Sequence, residues 1–268
     1  PDVFPAAWVV ELADLQDKVP PFSFAKVQSL LDQELGAVCA EIIDLEPTPI
    51  AAASLAQVHR ARLRSGRQVV LKVQRPGLQR LFSLDLQVMQ QVASVLQRHP
   101  NWGRGRDWVA MAQECRRVLL RELDFTVEAQ YAARFRQQFL DDPRIRVPSV
   151  VWELSTRRVL CLDYVPGIKI NDRDGLIALG IDPSEVAHIG ASSYLQQLVR
   201  FGFFHADPHP GNLAVASDGA LIYYDFGMMG IISSGLRNRL GSMVTAAALK
   251  DASALVKELQ LAGLVASN

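Results

Sequence analysis

The stretch that most constrains this chain is His205-Ala206-Asp207-Pro208-His209-Pro210-Gly211-Asn212, followed downstream by Asp225-Phe226-Gly227. Between them, Leu213–Ala216 and Leu221–Tyr224 read as two strands joined by the turn pair Asp218-Gly219. A hairpin there carries Asn212 and Asp225 to the same end of the strands. Phosphoryl transfer needs little covalent help from a protein. It needs an orienting carboxylate, metal ligands and cations over the phosphates. Asp207 is the candidate for orienting an acceptor hydroxyl or water, and Asn212 and Asp225 are candidate Mg²⁺ ligands. His205 is the candidate brace of the loop. Gly227 lets the chain leave the strand sharply. A plain polar loop with capping Asp and Asn residues is the alternative, and it leaves the pairing of both motifs across one hairpin unexplained.

A second signal is Val69-Val70-Leu71-Lys72-Val73, a lysine inside a β-branched, apolar run. Its ammonium can reach α- and β-phosphates while its stem stays buried. By itself the segment equally suits a strand whose Lys faces solvent. Its partner is sought on a helix expected from about Asp107 to Leu140, which carries Glu122, Asp124 and Glu128. Asp124 and Glu128 are four apart and would share a helix face, with Glu122 on another. Glu128 is the first candidate for Lys72 and Glu122 the second, against the reading of an ordinary charged helix surface. A third segment, Pro49 to His59, holds Ala51-Ala52-Ala53-Ser54 where a phosphate-binding loop would be rich in glycine. Alanine does not reach positive φ cheaply, so a stiffer and partly helical loop is expected, or else a simple strand connector. Adenine is expected against Asp163-Tyr164-Val165.

The remaining pattern is coarse. A helix is expected from Ser23 to about Val38, antiparallel strands from Ile42 to Val73, and a helix over 78–98. Strands follow near Val147–Trp152 and Arg158–Asp163, then a helix from Pro183 to about Phe201 and helix to the end. An amphipathic stretch lies near Trp8 to Leu15. The formal net charge is zero, so nothing in the bulk electrostatics calls for nucleic acid. Arginines concentrate between Arg98 and Arg158 and read as solvated helix faces, with anionic lipid or an acidic partner as the sharper alternative. Cys39, Cys115 and Cys161 are isolated thiols of a reducing compartment. His205 and His209 have no third histidine near them to make a zinc site. No apolar run is long enough to span a membrane. The chain opens on Pro1 and reads as a fragment or a processed product.

Asp and Asn five residues apart are the spacing of the protein-kinase catalytic loop. Taken with the alanine loop and Gln57-Val58-His59, the strand Val70 to Gly77, the helix Glu122-Leu123-Asp124-Phe125 with Glu128-Ala129, and the segment Leu15 to Pro21, the chain resembles the UbiB family of atypical kinases. The resemblance implies an α+β, bilobal protein-kinase-like fold. Residues 1–41 would be a helical, family-specific extension, 42–165 a lobe built on an antiparallel sheet with inserted helices, and 166–268 a truncated, mostly helical lobe. It implies ATP or ADP with Mg²⁺ as ligands. It implies a kinase or ATPase supporting ubiquinone or plastoquinone synthesis or upkeep, at the periphery of a membrane in a bacterium, mitochondrion or plastid. Its partners would be a lipophilic quinone precursor or quinone-biosynthesis proteins. The family's Lys-x-Gly-Gln motif is not in the chain, which starts about where that motif would end. No Ala-Pro-Glu segment follows Asp225-Phe226-Gly227, which argues against a peptide-docking groove. A small-molecule phosphotransferase of the aminoglycoside- or choline-kinase type, and a nucleotide-sensing scaffold, are the alternatives.

Overall fold

The computed structural model describes residues 19–263 and 265. In chain order it forms α1 (Phe24–Leu35), β1 (Ile42–Leu45), β2 (Ala51–Ala52), β3 (Ala56–Leu63), β4 (Gln68–Gln74), α2 (Leu78–Arg98), α3 (Trp108–Glu122) and α4 (Phe125–Gln138). Then come β5 (Ile145–Arg146), β6 (Val159–Asp163), β7 (Ile168–Lys169), α5 (Arg173–Ala178), α6 (Pro183–Leu195) and β8 (Phe203–His205). The last elements are β9 (Leu213–Val215), β10 (Leu221–Tyr223), β11 (Met229–Ile231), α7 (Ser234–Ala248) and α8 (Ala252–Leu261). Two compact units emerge. The first runs to Gln130 and includes Ser149–Tyr164; the second holds Tyr131–Pro148 and the chain from Val165 on.

The first unit is built on an antiparallel sheet, β1-β3-β4-β6, with β2 added to β3. β3 and β4 are joined by a tight turn in which Gly66 takes φ +85°, a conformation that costs a Cβ-bearing residue. Strand alternation then sorts β4 into two faces. Val69, Leu71 and Val73 are fully buried and pack with Val27, Leu30, Leu31 and Leu35 of α1. Those four positions recur at helical spacing, so α1 lays one apolar stripe on one face of the sheet. Val70 joins Ala56, Leu160, Leu162, Phe125 and Ala129 on the opposite face. Lys72 and Gln74 share that parity.

Several expected elements differ. The long helix 107–140 is two helices. Leu123 C=O accepts from the Gln74 side chain (2.8 Å), Phe125 N–H donates to Arg157 C=O (3.0 Å), and Asp124 caps α4 by accepting from Thr126 N–H (3.1 Å). Backbone groups that would continue one helix are engaged sideways. Asp124 thus precedes the helix that carries Glu128 and does not share a face with it. The alanine segment is not helical. Ala51 and Ala52 pair with Val58 and Gln57, and Ala53 N–H bonds Ala56 C=O (2.8 Å). That turn needs no positive φ, which among the described residues other than glycine only Lys250 adopts. Segment 147–152 is no strand: only Val150 bridges to Leu162, and Trp152–Leu154 is a 3₁₀ turn. Helix α1 ends at Leu35 and is followed by a 3₁₀ segment, Gly36–Glu41. The apolar period of α2 is as expected, but Leu81, Leu84, Val88 and Val92 are more than half exposed, and the buried positions are Leu78, Leu86 and Ala93. The stretch Trp8 to Leu15 lies outside the described residues.

The second unit carries a sheet in the order β5-β10-β9-β7 and a two-stranded ribbon, β8 with β11. β11 interrupts what the sequence reads as helix to the end. Met229 pairs with His205 and Ile231 with Phe203. Three residues are too short for a period to show, and the pairing is decided by the distant partner. Pro183 opens α6 with Asp182 capping Ser184 N–H (2.8 Å), the placement favoured for proline. The α-helix stops at Leu195 and passes into a π-helical turn, Gln196–Phe201.

Candidate active site

Register places Lys72 opposite Val58 on β3 and Leu160 on β6. Its Nζ donates to both Glu128 oxygens, at 2.7 and 2.9 Å. The Glu128 side chain is 5% exposed and that of Lys72 19%. A two-pronged, largely dry ion pair holds the ammonium in one place. The Phe125 ring lies 5.4 Å from Nζ and adds a cation–π contact. Glu128 sits in the first turn of α4, where the helix dipole favours a carboxylate. Two supports of this pair have little local signal in the sequence. Gln74, on the same strand face as Lys72, holds the carbonyl of Leu123 and so fixes where α4 begins. In the sequence Phe125 stands out only as part of the segment Glu122-Leu123-Asp124-Phe125. The signal for Gln74 was present in its spacing of two from Lys72.

Asp124 is tied to Thr126 and to Arg157 Nε (2.9 Å). Burial pushes its carboxyl up, but the bonds from Thr126 and Arg157 outweigh that and hold it below the usual carboxylate range. It is a cap and a staple. Glu122 is the last residue of α3. In the alanine turn, Ala53 C=O accepts from Arg75 Nε (3.0 Å), while Ala51, Ala53 and Ser54 are exposed. Gln57 is fully buried and grips the backbone of Phe22 through both ends of its amide. His59 completes this cluster, taking Gln57 Nε2 on Nε2 and donating from Nδ1 to Glu46 C=O (2.8 Å each). Asp163 is paired with Arg67, and the Arg60 guanidinium lies 4.2 Å above the Tyr164 ring.

In the second unit Val165 C=O accepts from Tyr224 Oη (2.7 Å). The β9–β10 hairpin extends past its last pair, because Tyr224 N–H donates to Asn212 C=O (3.0 Å). Asn212 and Asp225 therefore leave the hairpin side by side. Asn212 Nδ2 donates to Asp207 C=O (3.2 Å), which leaves Oδ1, the ligating atom of the amide, for a cation. Asp225 Oδ1 accepts from Gly227 N–H (2.9 Å), closing the turn after β10. His205, fully buried, joins the two loops. Its Nδ1 accepts from Asp207 N–H (3.2 Å) and its Nε2 donates to Asp225 C=O (2.7 Å). Asp207 itself is exposed.

Among the described residues no group of three or more His, Cys, Asp or Glu side chains is set to hold a metal. The donors present are a carboxylate and an amide oxygen. Such hard oxygens suit Mg²⁺, which keeps several waters and is completed by substrate phosphates. The residues fit that ion.

A profile of the ABC1 atypical kinase-like domain matches residues 14–259. The chain is 46% identical over 264 residues to the protein named Uncharacterized protein sll1770 of Synechocystis, covering 98% of this chain and 45% of that protein. It is 46% identical over 259 residues to Protein ACTIVITY OF BC1 COMPLEX KINASE 7, chloroplastic, of Arabidopsis thaliana, covering 96% of this chain and 37% of that one. The structure of Rv3197 from Mycobacterium tuberculosis in complex with erythromycin matches with a TM-score of 0.73 at 30% identity, over 98% of this chain and 65% of that one. The chain spans less than half the length of these curated relatives. A match over nearly all of its residues, at this identity to cyanobacterial and plant members, makes the chain a member of the ABC1 atypical kinase-like family, the UbiB-type kinases, with their α+β, protein-kinase-like fold.

Proposed function

We propose that this chain is an ATP-dependent, Mg²⁺-using atypical kinase or ATPase that serves isoprenoid quinone synthesis or upkeep. The observation that carries the reading is the Lys72–Glu128 pair, an ammonium held by both carboxylate oxygens on the inner side of a sheet strand. In this reading Lys72 neutralises α- and β-phosphate charge and Glu128 keeps it aimed. Asn212 and Asp225 would hold Mg²⁺, which would supply positive charge to offset that of the transferred phosphate. Asp207 accepts the hydrogen bond of the attacking hydroxyl or water as the bond from the γ-phosphorus to ADP breaks. His205 keeps the Asp207 and Asp225 loops at a fixed spacing. The alanine turn 51–54 covers phosphate, and segment 163–165 faces adenine. The quinone role, and peripheral contact with a bacterial, mitochondrial or plastid membrane, rest on the family resemblance. Relatives from a cyanobacterium and from chloroplasts fit two of those settings. Among the described residues no helix is long and apolar enough to cross a membrane.

The test is a thermal shift with Mg²⁺ and ATP or ADP. Ligand at about a hundred times its Kd stabilises by roughly 2.7 kcal/mol, a rise of about 5–10 °C for a chain of this size. Asp225→Ala is expected to lose the Mg²⁺-dependent part. No shift in wild type, or the same shift in the variant, overturns the reading. The quinone role is tested by quinone content in cyanobacterial cells lacking their own relative and supplied with this chain. Unchanged content would remove that role and leave the kinase.

A further inference from the structure

We infer that Gln197, presented by the π-helical turn after α6, is a positioning residue that sets the spacing of the Asp207 and Asp225 loops. The inference rests on the reading of those loops as the orienting and Mg²⁺-binding elements. Gln197 lies second in the π turn Gln196–Phe201 and is fully buried. A π turn holds one residue more than an α turn and re-aims the side chains it carries, and such turns recur at functional sites. Here the amide is aimed between two strands. Its Oε1 accepts from His205 N–H (2.9 Å) and its Nε2 donates to Tyr223 Oη (3.3 Å).

The hydrogen bonds run in one direction only. The Ser193 hydroxyl has a single proton and donates it to Gly190 C=O (2.9 Å). It must therefore accept from Tyr223 Oη (2.7 Å). Tyr223, having spent its proton, accepts from Gln197 Nε2. The carbonyl end of Gln197 is left facing His205 N–H. Ser193, Gln197, His205 and Tyr223 are all at most 2% exposed, so water cannot replace a lost member, and buried polar groups persist only when satisfied. His205 then continues the chain through its ring to Asp207 N–H and Asp225 C=O. One backbone amide is held by Gln197, and the ring on the same residue spaces the two loops. Two adjacent glutamines near a helix end gave no sign of this in the sequence.

The consequence is specific. Without an acceptor for its N–H, the start of the catalytic loop has to shift to find one. The two bonds of the His205 ring cannot both follow. Groups that orient metal ligands typically affect metal affinity by about 10–100-fold.

The experiment uses the full chain with Gln197→Met, Gln197→Glu and Ser193→Ala. Mg²⁺ is titrated in the presence of ADP, and hydrogen exchange is followed at the amides of Asp207 and Gly227. Gln197→Met is expected to weaken Mg²⁺ affinity at least about tenfold and to speed exchange at both amides. Gln197→Glu still offers an oxygen to His205 N–H, and the Tyr223 hydroxyl can turn to donate to it. It is expected to restore Mg²⁺ affinity even if its melting temperature falls. Ser193→Ala loosens only the far end and is expected to bind Mg²⁺ as wild type does. Wild-type affinity and exchange in Gln197→Met overturn the inference. So does a Mg²⁺ affinity that merely tracks melting temperature across the three variants. Should Gln197→Met not fold, Gln197→Leu, which removes the same acceptor for His205 N–H, carries the same expectation. If wild type itself ignores Mg²⁺ and ADP, the functional reading fails, and the exchange rates still decide the role of Gln197.

Discussion

Replacing Glu128 with Gln keeps the shape of the side chain and removes its charge. In the native protein the carboxylate takes two bonds from Lys72, at 2.7 and 2.9 Å, at a site where Glu128 is 5% and Lys72 19% exposed. A hydrogen bond to a charged group contributes about 1.5–3 kcal/mol. Removing one partner of a fully buried pair costs roughly 3–5 kcal/mol. Lys72 retains some access to water and an amide oxygen still accepts one bond, so the lower range applies, about 2 kcal/mol. For a chain of this length that lowers the melting temperature by about 4–8 °C. Chemical denaturation of wild type, Glu128→Gln, Lys72→Met and the double variant gives the coupling directly. Lys72→Met takes the ammonium from beside the more deeply buried charge and is expected to cost more than Glu128→Gln. The double variant is expected to be more stable than the sum of the single losses by at least about 1 kcal/mol. Losses that add to within about 0.5 kcal/mol would refute the claim that the two side chains act as one unit.

Gln74→Leu removes the donor to Leu123 C=O inside a buried site, and is expected to cost about 1–3 kcal/mol by denaturation, with faster exchange in the first turn of α4. Asp124 and Glu34 both have carboxyls held below their ordinary values of 3.8 and 4.5; burial opposes this, and bonds from Thr126 and Arg157, and from Thr156 and Arg158, outweigh it. A lowered folded-state pKa gives stability that is complete above the unfolded value and fades as pH falls through the folded one. Stability is therefore expected to decline below about pH 4.5, and Asp124→Asn to flatten that decline in acid-unfolding curves. Burial pushes the Cys161 thiol up to about 12 while Cys115 is exposed, so a maleimide at neutral pH is expected to label Cys115 rapidly and Cys161 only after unfolding.

What the sequence could say by itself was local. A run of β-branched and apolar residues marks β4, a helical period marks α2, and Asp218-Gly219 marks the turn of the β9–β10 hairpin, where Gly219 takes φ +87°. Each is a property of a few neighbouring residues, and the backbone obeys it whatever surrounds it. The tertiary structure decided what depends on distant partners. The helix expected over 107–140 breaks at Leu123 because Gln74 and Arg157 capture its backbone groups. β11 exists because β8 pairs with it. The apolar period of α2 does not say which side packs, and contact with α3 leaves Leu81, Leu84, Val88 and Val92 exposed. The sequence narrowed the neighbour of Lys72 to two glutamates, and only the fold brings the Glu128 carboxylate to 2.7 Å. Nothing local marks Gln197, whose side chain matters through groups at Tyr223 and His205. Hydrogen-bond partners far apart in the chain carry no period, and only the packed core brings them together.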